Sequence, residues 1–555
     1  MNWSLRSFAL VASAAFSCAE PPPNVPVKPT MTVPAPPLFE GLGPHKRKVT
    51  TSSADAQRYV DQGLAFMGAF NHDEAARAFA YAAQLDPSCA MAHWGVAMAN
   101  GPHINKADVD ETHAKAAWAA LEQARVAKGA SKVERDLVDA LTRRHANPQP
   151  KDRTPLDAAY ADAMRAVHRT NPDDVDVAVW FAEAAMDLRP WDYWQPDGKP
   201  QPGTEEILGI LEGAMKRAPG NALAPHLYIH VVEASPHPER ADASANRLRD
   251  LAPGLGHLVH MPSHIDIRRG RWQEAITANE KAIAADTKYR SASPKQGFYG
   301  LYIAHNRHML SFAAMMRGES ELALGAIRSM VDTMPPEFVR ESPELADGFL
   351  AMPVEVLMRF GRWDEILAIP EPAAAFPIAR ALRHYARGVA YAAQGDVERA
   401  RAEQAALLEA KKSVLKGVKF GNNEGLDLVA IAEQVLAGEL AVREGKTDDA
   451  IASLRAAVRS EDALVYDEPP DWIQPVRHAL GATLMRAGKP AEAEVVYRED
   501  LAKHLENGWS LFGLERALRA QKKSEESKAA SARLAKAWEK SDVKLSSSCF
   551  CLPGI

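Results

Sequence analysis

From Tyr59 onward, apolar residues recur three and four positions apart, with Ala, Glu and Arg filling the places between them. This is the period of helices that bury one face. Pro or Gly falls between successive pairs of such segments, and no stretch shows convincing strict alternation. The pattern predicts an all-α chain of paired amphipathic helices. Within 56–87 the small and large residues take fixed places: Gly63, Phe66, Ala75, Phe79, Ala82 and a closing Pro87. The same skeleton returns with Gly388, Tyr391, Ala400 and Leu407, with Gly438, Ala450 and Ala457, and with Gly481, Ala493 and Tyr497. Weaker copies run through 160–172, 175–219, 222–253, 256–287 and 304–335. Met261-Pro262 stands before Gly270-Arg271-Trp272 much as Met352-Pro353 stands before Gly361-Arg362-Trp363, as if two segments followed one template.

This skeleton resembles the tetratricopeptide repeat, a helix-turn-helix unit of 34 residues in which small residues let paired helices touch and large ones fill the gap to the next unit. The resemblance implies a right-handed α-solenoid whose first helices line a concave groove. The segments Ala69 to Phe79, Leu188 to Trp194 and His257 to Trp272 (HLVHMPSHIDIRRGRW) together resemble a widespread group of bacterial tetratricopeptide proteins. That likeness spans most of the chain and implies architecture, with no secure activity attached.

Around the repeats the chain divides by composition. Residues 1–19 read as a secretory signal: one positive charge, the apolar run Phe8 to Phe16, then Ser17, Cys18 and Ala19. Cleavage after Ala19 competes with lipidation at Cys18, so the expected destination is the periplasm or cell envelope, with a membrane tie only through an N-terminal lipid. Residues 20–50 form a Pro-rich spacer. N-terminal repeats occupy 51–220, a His-rich centre 221–335, further repeats 336–545 and a Cys-containing tail 546–555. The insertion 188–203 carries Trp191, Tyr193 and Trp194 between two helices of one unit. It reads either as a patch over exposed core or as a lid on the groove.

Composition narrows the function classes. The 555 residues are 46% hydrophobic and 25% charged, an ordinary globular balance that can support a large core. A net charge of -6 argues against nucleic acid, which demands clustered cations. Four cysteines cannot scaffold so long a chain.

The histidines carry the chemical signal. Aligning Ala241 with Ala275 puts His226 and His230 in the same two slots of one unit that His260 and His264 occupy in the next, 34 residues on. Each pair is four apart and shares a helix face. His305 and His308 fall in neighbouring slots of the following unit, so three units aim imidazoles at one groove. Neutral imidazoles held by helices suit Cu, Zn or Fe. The expected metal set is therefore His226, His230, His260, His264, His305 and His308, with Glu233 as the catalytic base or orienting group. Glu183, Arg268, Glu355, Trp191 and Trp194 are expected to line the groove, and His237 and His257, near helix ends, to stand outside the ligand set. Cys549 and Cys551, too close in sequence to pair readily, are further candidate ligands if the tail folds into the groove. Cys89, His93, His384 and His478 read as packing residues. HLVHMPSH lacks the Glu of the zinc-protease motif, and no Walker loop or dinucleotide fingerprint is present. Two readings follow: a metal-dependent oxidoreductase or hydrolase, or a scaffold that grips a peptide or protein in the groove, with Arg268 and Arg307 available to an acidic one.

Overall fold

The computed structural model describes residues 34–334 and 336–552; residues 1–19, expected to be a secretory signal, lie outside them. Among the described residues, helices follow one another from Ala54–Gly68 to Ser524–Ala537, and the strands are the short antiparallel pair Lys419–Phe420 and Asn423–Glu424. Consecutive helices pack in pairs, giving the tetratricopeptide-like α-solenoid that the spacing predicts. The first unit shows why. The Phe79 ring fills the gap between Gly63 and Gly95, and a Cβ at either glycine would run into it. Asn71 caps the second helix by accepting from the Glu74 amide. No described helix is long and apolar enough to cross a membrane.

The array winds into two successive turns whose ends meet. In the first, Tyr289 and Ser293 donate to Glu74 at 3.0 and 2.7 Å, and the Phe39 ring lies 5.2 Å from Phe66 and 5.5 Å from Tyr289. In the second, Trp509 donates to the Met315 carbonyl at 2.9 Å and Ser541 to that of Gly318 at 2.9 Å. Trp272 ties the turns together through the Leu505 carbonyl at 2.9 Å. Each turn has its own apolar core, one spanning Val49 to Ile303 and the other Ile267 to Leu552. Helices Trp272–Ala292 and Gly300–Arg317 stand where the two turns join.

Two expectations change. The spacer does not stand clear of the array from residue 36 on, because the Pro36 and Pro37 carbonyls accept from Tyr59 and Gln62, each at 3.0 Å. The histidine face is not an open groove: His226, His230, His257, His260, His264 and His308 are all buried, since the curling array covers them.

Candidate metal centre

Three helical segments place the imidazoles. Helix Leu223–Val232 presents His226 and His230 one turn apart, with Glu233 at its end. The stretch 256–268 is two short helices broken at Pro262, whose ring has no N–H to continue the first. His257, His260 and His264 lie along it about one turn apart each. Helix Gly300–Arg317 adds His305 and His308. Asp286 fixes these segments together. It accepts from Tyr299 at 3.0 Å and Asn306 at 2.7 Å, and the Tyr299 hydroxyl accepts from the His257 amide at 3.1 Å. Gly256 is required there, because a Cβ would collide with the Asp286 carboxylate.

The imidazoles sort into two sets of three, His226, His230 and His257, and His260, His264 and His305. In each set the ligand-type atoms lie within 4.8 Å of one another. His257 is thus inside the first set, a correction to its expected place outside, because the helix runs on through it toward His260. His308 belongs to neither set; it lies one turn past His305 with its Nε2 unpartnered. His237 pairs with Glu239 at the surface at 3.1 Å.

Glu233 sits between the sets. One carboxylate oxygen is 2.9 Å from His230 Nδ1 and the other 2.5 Å from His264 Nδ1. Two more Nδ1 atoms have acceptors, the Gly68 carbonyl at 2.8 Å for His226 and Asn279 Oδ1 at 2.7 Å for His260, while the buried His257 Nδ1 has no hydrogen-bond partner. Asn279 is oriented by its own amide, which donates to the Ala275 carbonyl at 2.8 Å. These acceptors favour protons on Nδ1 of His226, His230, His260 and His264, which in a neutral ring leaves the lone pair on Nε2. Yet His226 Nε2 lies 3.1 Å from Nε2 of both His230 and His257, and His260 Nε2 lies 2.8 Å from His264 Nε2. His226 and His230, each with an acceptor on Nδ1, turn two lone pairs toward one another and repel unless a cation or proton lies between them, whereas His257 can donate from Nε2 to His226 and a protonated His264 from Nε2 to His260.

Electrostatics set the protonation. Burial holds His226, His257, His260 and His305 well below the ordinary imidazole value. His230 is lowered by burial even with Glu233 beside it. His264 is raised, because Glu233 more than offsets burial. Burial pushes Glu233 up, but its two histidines hold it down at about 2. Five imidazoles are thus held neutral around one buried carboxylate.

An aromatic wall encloses the first set. The Phe70 ring lies 4.4 Å from His226 and stacks on His257 at 5.5 Å, with the backbone held at φ 55°. Such a conformation costs a non-glycine residue about 1 to 3 kcal/mol and is kept where the surroundings impose it. Trp191 meets His230 at 5.3 Å and donates to Asn105 at 3.0 Å; Asn105 donates to Tyr302 at 3.1 Å, whose ring lies 4.5 Å from His257. The 188–203 insertion packs against both the site and the helices beside it. Trp191 borders the site, while Tyr193 is buried and Trp194 donates to the Val231 carbonyl at 2.6 Å.

Beyond the histidines opens a cavity of about 300 Å³. His230, His257, His264, His305 and His308 form one side; Phe349, Met352 and Phe420, with Asp467, Glu468 and Asp471, form the other. The sequence reading missed the acidic side because it arrives from a loop of the second turn, more than 150 residues away and without periodicity. It also missed Phe70, Asn105, Asn279 and Tyr302, which carry no motif.

Other expected participants lie elsewhere. Glu183 belongs to a buried group with Arg144 and Asp187 and is pushed up to about 8 by burial. Glu355 is likewise pushed to about 8 by burial alone, and neither joins a histidine set. Arg268 donates to the Glu233 and Ser235 carbonyls, and Arg307 to Ser329 and the Ile303 carbonyl, so these guanidiniums are turned to the chain itself. Cys549 and Cys551 do pair, as a disulfide, beside Trp363, Tyr385, Glu439 and Trp472, in a different pocket from the imidazoles. Cys89 and His478 are buried packing residues, as read.

No family model and no curated protein matches the chain. Among solved structures it is similar to the APC/C hetero-tetramer Cut9–Hcn1 at 14% identity and TM-score 0.32, covering 83% of this chain and 76% of that one. It is similar to the human IFIT1 dimer with m7Gppp-AAAA at 12% identity and TM-score 0.33, covering 88% and 91%. Yeast Tom70 follows at 12% identity and TM-score 0.29, covering 88% and 93%. Likenesses this distant carry no argument about the site. The fold and site together define a class: an all-α tetratricopeptide-like solenoid that encloses paired histidine triads around one carboxylate.

Proposed function

We propose that the protein binds transition metal in the two histidine triads and carries out a metal-dependent reaction on a small molecule in the adjoining cavity. The observation that carries this reading is the gathering of six imidazoles into two sets of three around Glu233, with His226 Nε2 and His230 Nε2 turned toward each other while their Nδ1 atoms face the Gly68 carbonyl and Glu233. Hydrogen-bond acceptors on Nδ1 are the usual outer support of metal-binding histidines, setting ring orientation and raising basicity. All-imidazole sets favour Cu, Zn or Fe over harder cations. The chemistry is oxidative with a redox-active ion and hydrolytic with Zn, where a bound water is acidified. Glu233 orients His230 and His264 in either case. The alternative, a scaffold for a peptide or protein, would use the outer helices, because the imidazoles are enclosed. Export to the periplasm or envelope belongs to the same proposal, and the Cys549–Cys551 disulfide suits such an oxidising compartment.

Elemental analysis of the untagged protein beside the His230→Ala, His264→Ala variant tests the reading. About two ions per chain in the wild type, lost from a variant that keeps its helical circular dichroism, is the expected result. A wild type that takes up no Cu, Zn or Fe after reconstitution refutes it.

A further inference from the structure

The wall facing the triads has its own chemistry. Glu468 is only 3% exposed, lines the cavity, and has one oxygen engaged by the Tyr466 hydroxyl at 2.8 Å while Oε1 has no partner. A buried carboxylate oxygen left without a donor is costly, and its presence at a cavity points to a donor that arrives with a ligand. Asp471 and Asp467 stand beside it but are already engaged. Asp471 accepts from Asn423 Nδ2 at 2.7 Å, and Asp467 accepts from the Asn422 amide at 3.0 Å. Lys419 also borders the cavity, near the Asn422 carbonyl at 3.4 Å. Glu468 is outside both histidine sets, so its free oxygen is not accounted for as a ligand of either. Much of the remaining lining is apolar and aromatic: Trp191, Phe298, Tyr302, Phe349, Met352 and Phe420. A volume of about 300 Å³ is at the small end of ligand sites, enough for one ring and a short side chain.

We propose that the cavity binds a small amine with an aromatic or apolar body, its ammonium donating to Glu468 Oε1 and its ring lying between the aromatic wall and the histidines. The ring gains apolar burial, and the ammonium supplies the donor that Glu468 Oε1 lacks, although His264 and Arg268 already stand near enough to act on that carboxylate. The body of the ligand then faces His264 and His305, the side of the proposed metal centre. What is done to the ligand rests on the metal reading; that it binds rests on Glu468 and the aromatic wall.

Calorimetric titration of the full chain, metal-free and after reconstitution with Cu, tests this with three probes of one shape: phenethylamine, 2-phenylethanol and phenylacetate. The amine is expected to bind tightest and the acid weakest, with Glu468→Gln weakening the amine about ten- to a hundredfold and leaving the alcohol within a few-fold. Equal or tighter binding of phenylacetate, or amine binding indifferent to Glu468→Gln, overturns the inference. The ligand order in the wild type needs no variant, so a variant that misfolds does not rescue it. Metal content measured on the same samples separates the two readings. Metal without amine preference refutes this inference alone, while Glu468-dependent amine binding by a chain that holds no metal refutes the metal reading alone.

Discussion

Glu233 shows how one side chain serves two sites. Its oxygens hold His230 and His264, one from each triad, and its burial leaves it no solvent partner. Replacing it by Gln keeps the shape but turns one acceptor into a donor, which suits only one of the two Nδ1–H groups. Glu233→Gln is expected to lower metal affinity about 10- to 100-fold in a competition titration, the usual cost of losing an outer carboxylate. His308→Gln, outside both sets, should change it much less. A Glu233→Gln protein with unaltered affinity would mean that the carboxylate does not support the ligands. The six histidines named from register were legible because a repeat fixes their phase. His257 shares the face of His260 three residues on, and the helical spacing carries that signal too. Phe70, Asn105, Asn279 and Glu468 had no such signal, since each joins the site through a loop or a neighbouring helix.

At the level of elements, helix Pro343–Arg359 carries a testable carboxyl. Glu355 is 2% exposed, its Oε2 has no partner, and burial alone raises it to about 8. With an unfolded value of about 4.3, the folded state binds the extra proton between the two values, so stability is full below about pH 4.3 and falls as pH rises toward 8. Glu355→Gln is therefore expected to flatten the decline of melting temperature between about pH 5 and 8. A variant that declines as steeply as the wild type contradicts the assignment. The same helix ends at Arg359, whose guanidinium lies 3.7 Å from the Trp509 ring centroid and donates to His478 Nδ1 at 2.7 Å and the Ser548 carbonyl at 2.6 Å. Trp509 is fully buried, so Trp509→Ala should cost about 3 to 5 kcal/mol in urea unfolding and loosen the tail. A loss below about 1 kcal/mol would show the second core to be less dependent on that ring than its burial implies.

At the level of the molecule, the triads are assembled at the join of the two turns, from helices of the first and the shared helix Gly300–Arg317. A ligand that binds only this assembled state stabilises it by mass action, about 2.7 kcal/mol at a hundred times its dissociation constant. Cu or Zn is expected to raise the melting temperature of the wild type and not of the His230→Ala, His264→Ala variant. Equal shifts in both would place the metal elsewhere, beside Glu439 for example, where the reduced Cys549 and Cys551 thiols would offer ligands.

The sequence by itself determined the helices, their pairing and the phase of six histidines, because these follow from short-range periodicity repeated unit after unit. Only the tertiary structure decided that the face is enclosed, that His257 joins the first triad, that the tail cysteines pair with each other away from the histidines, and that an acidic and aromatic wall faces the imidazoles. Those outcomes depend on how far a solenoid curls before its ends meet. Curl is the sum of many small packing rotations between units, and no single repeat reveals that sum.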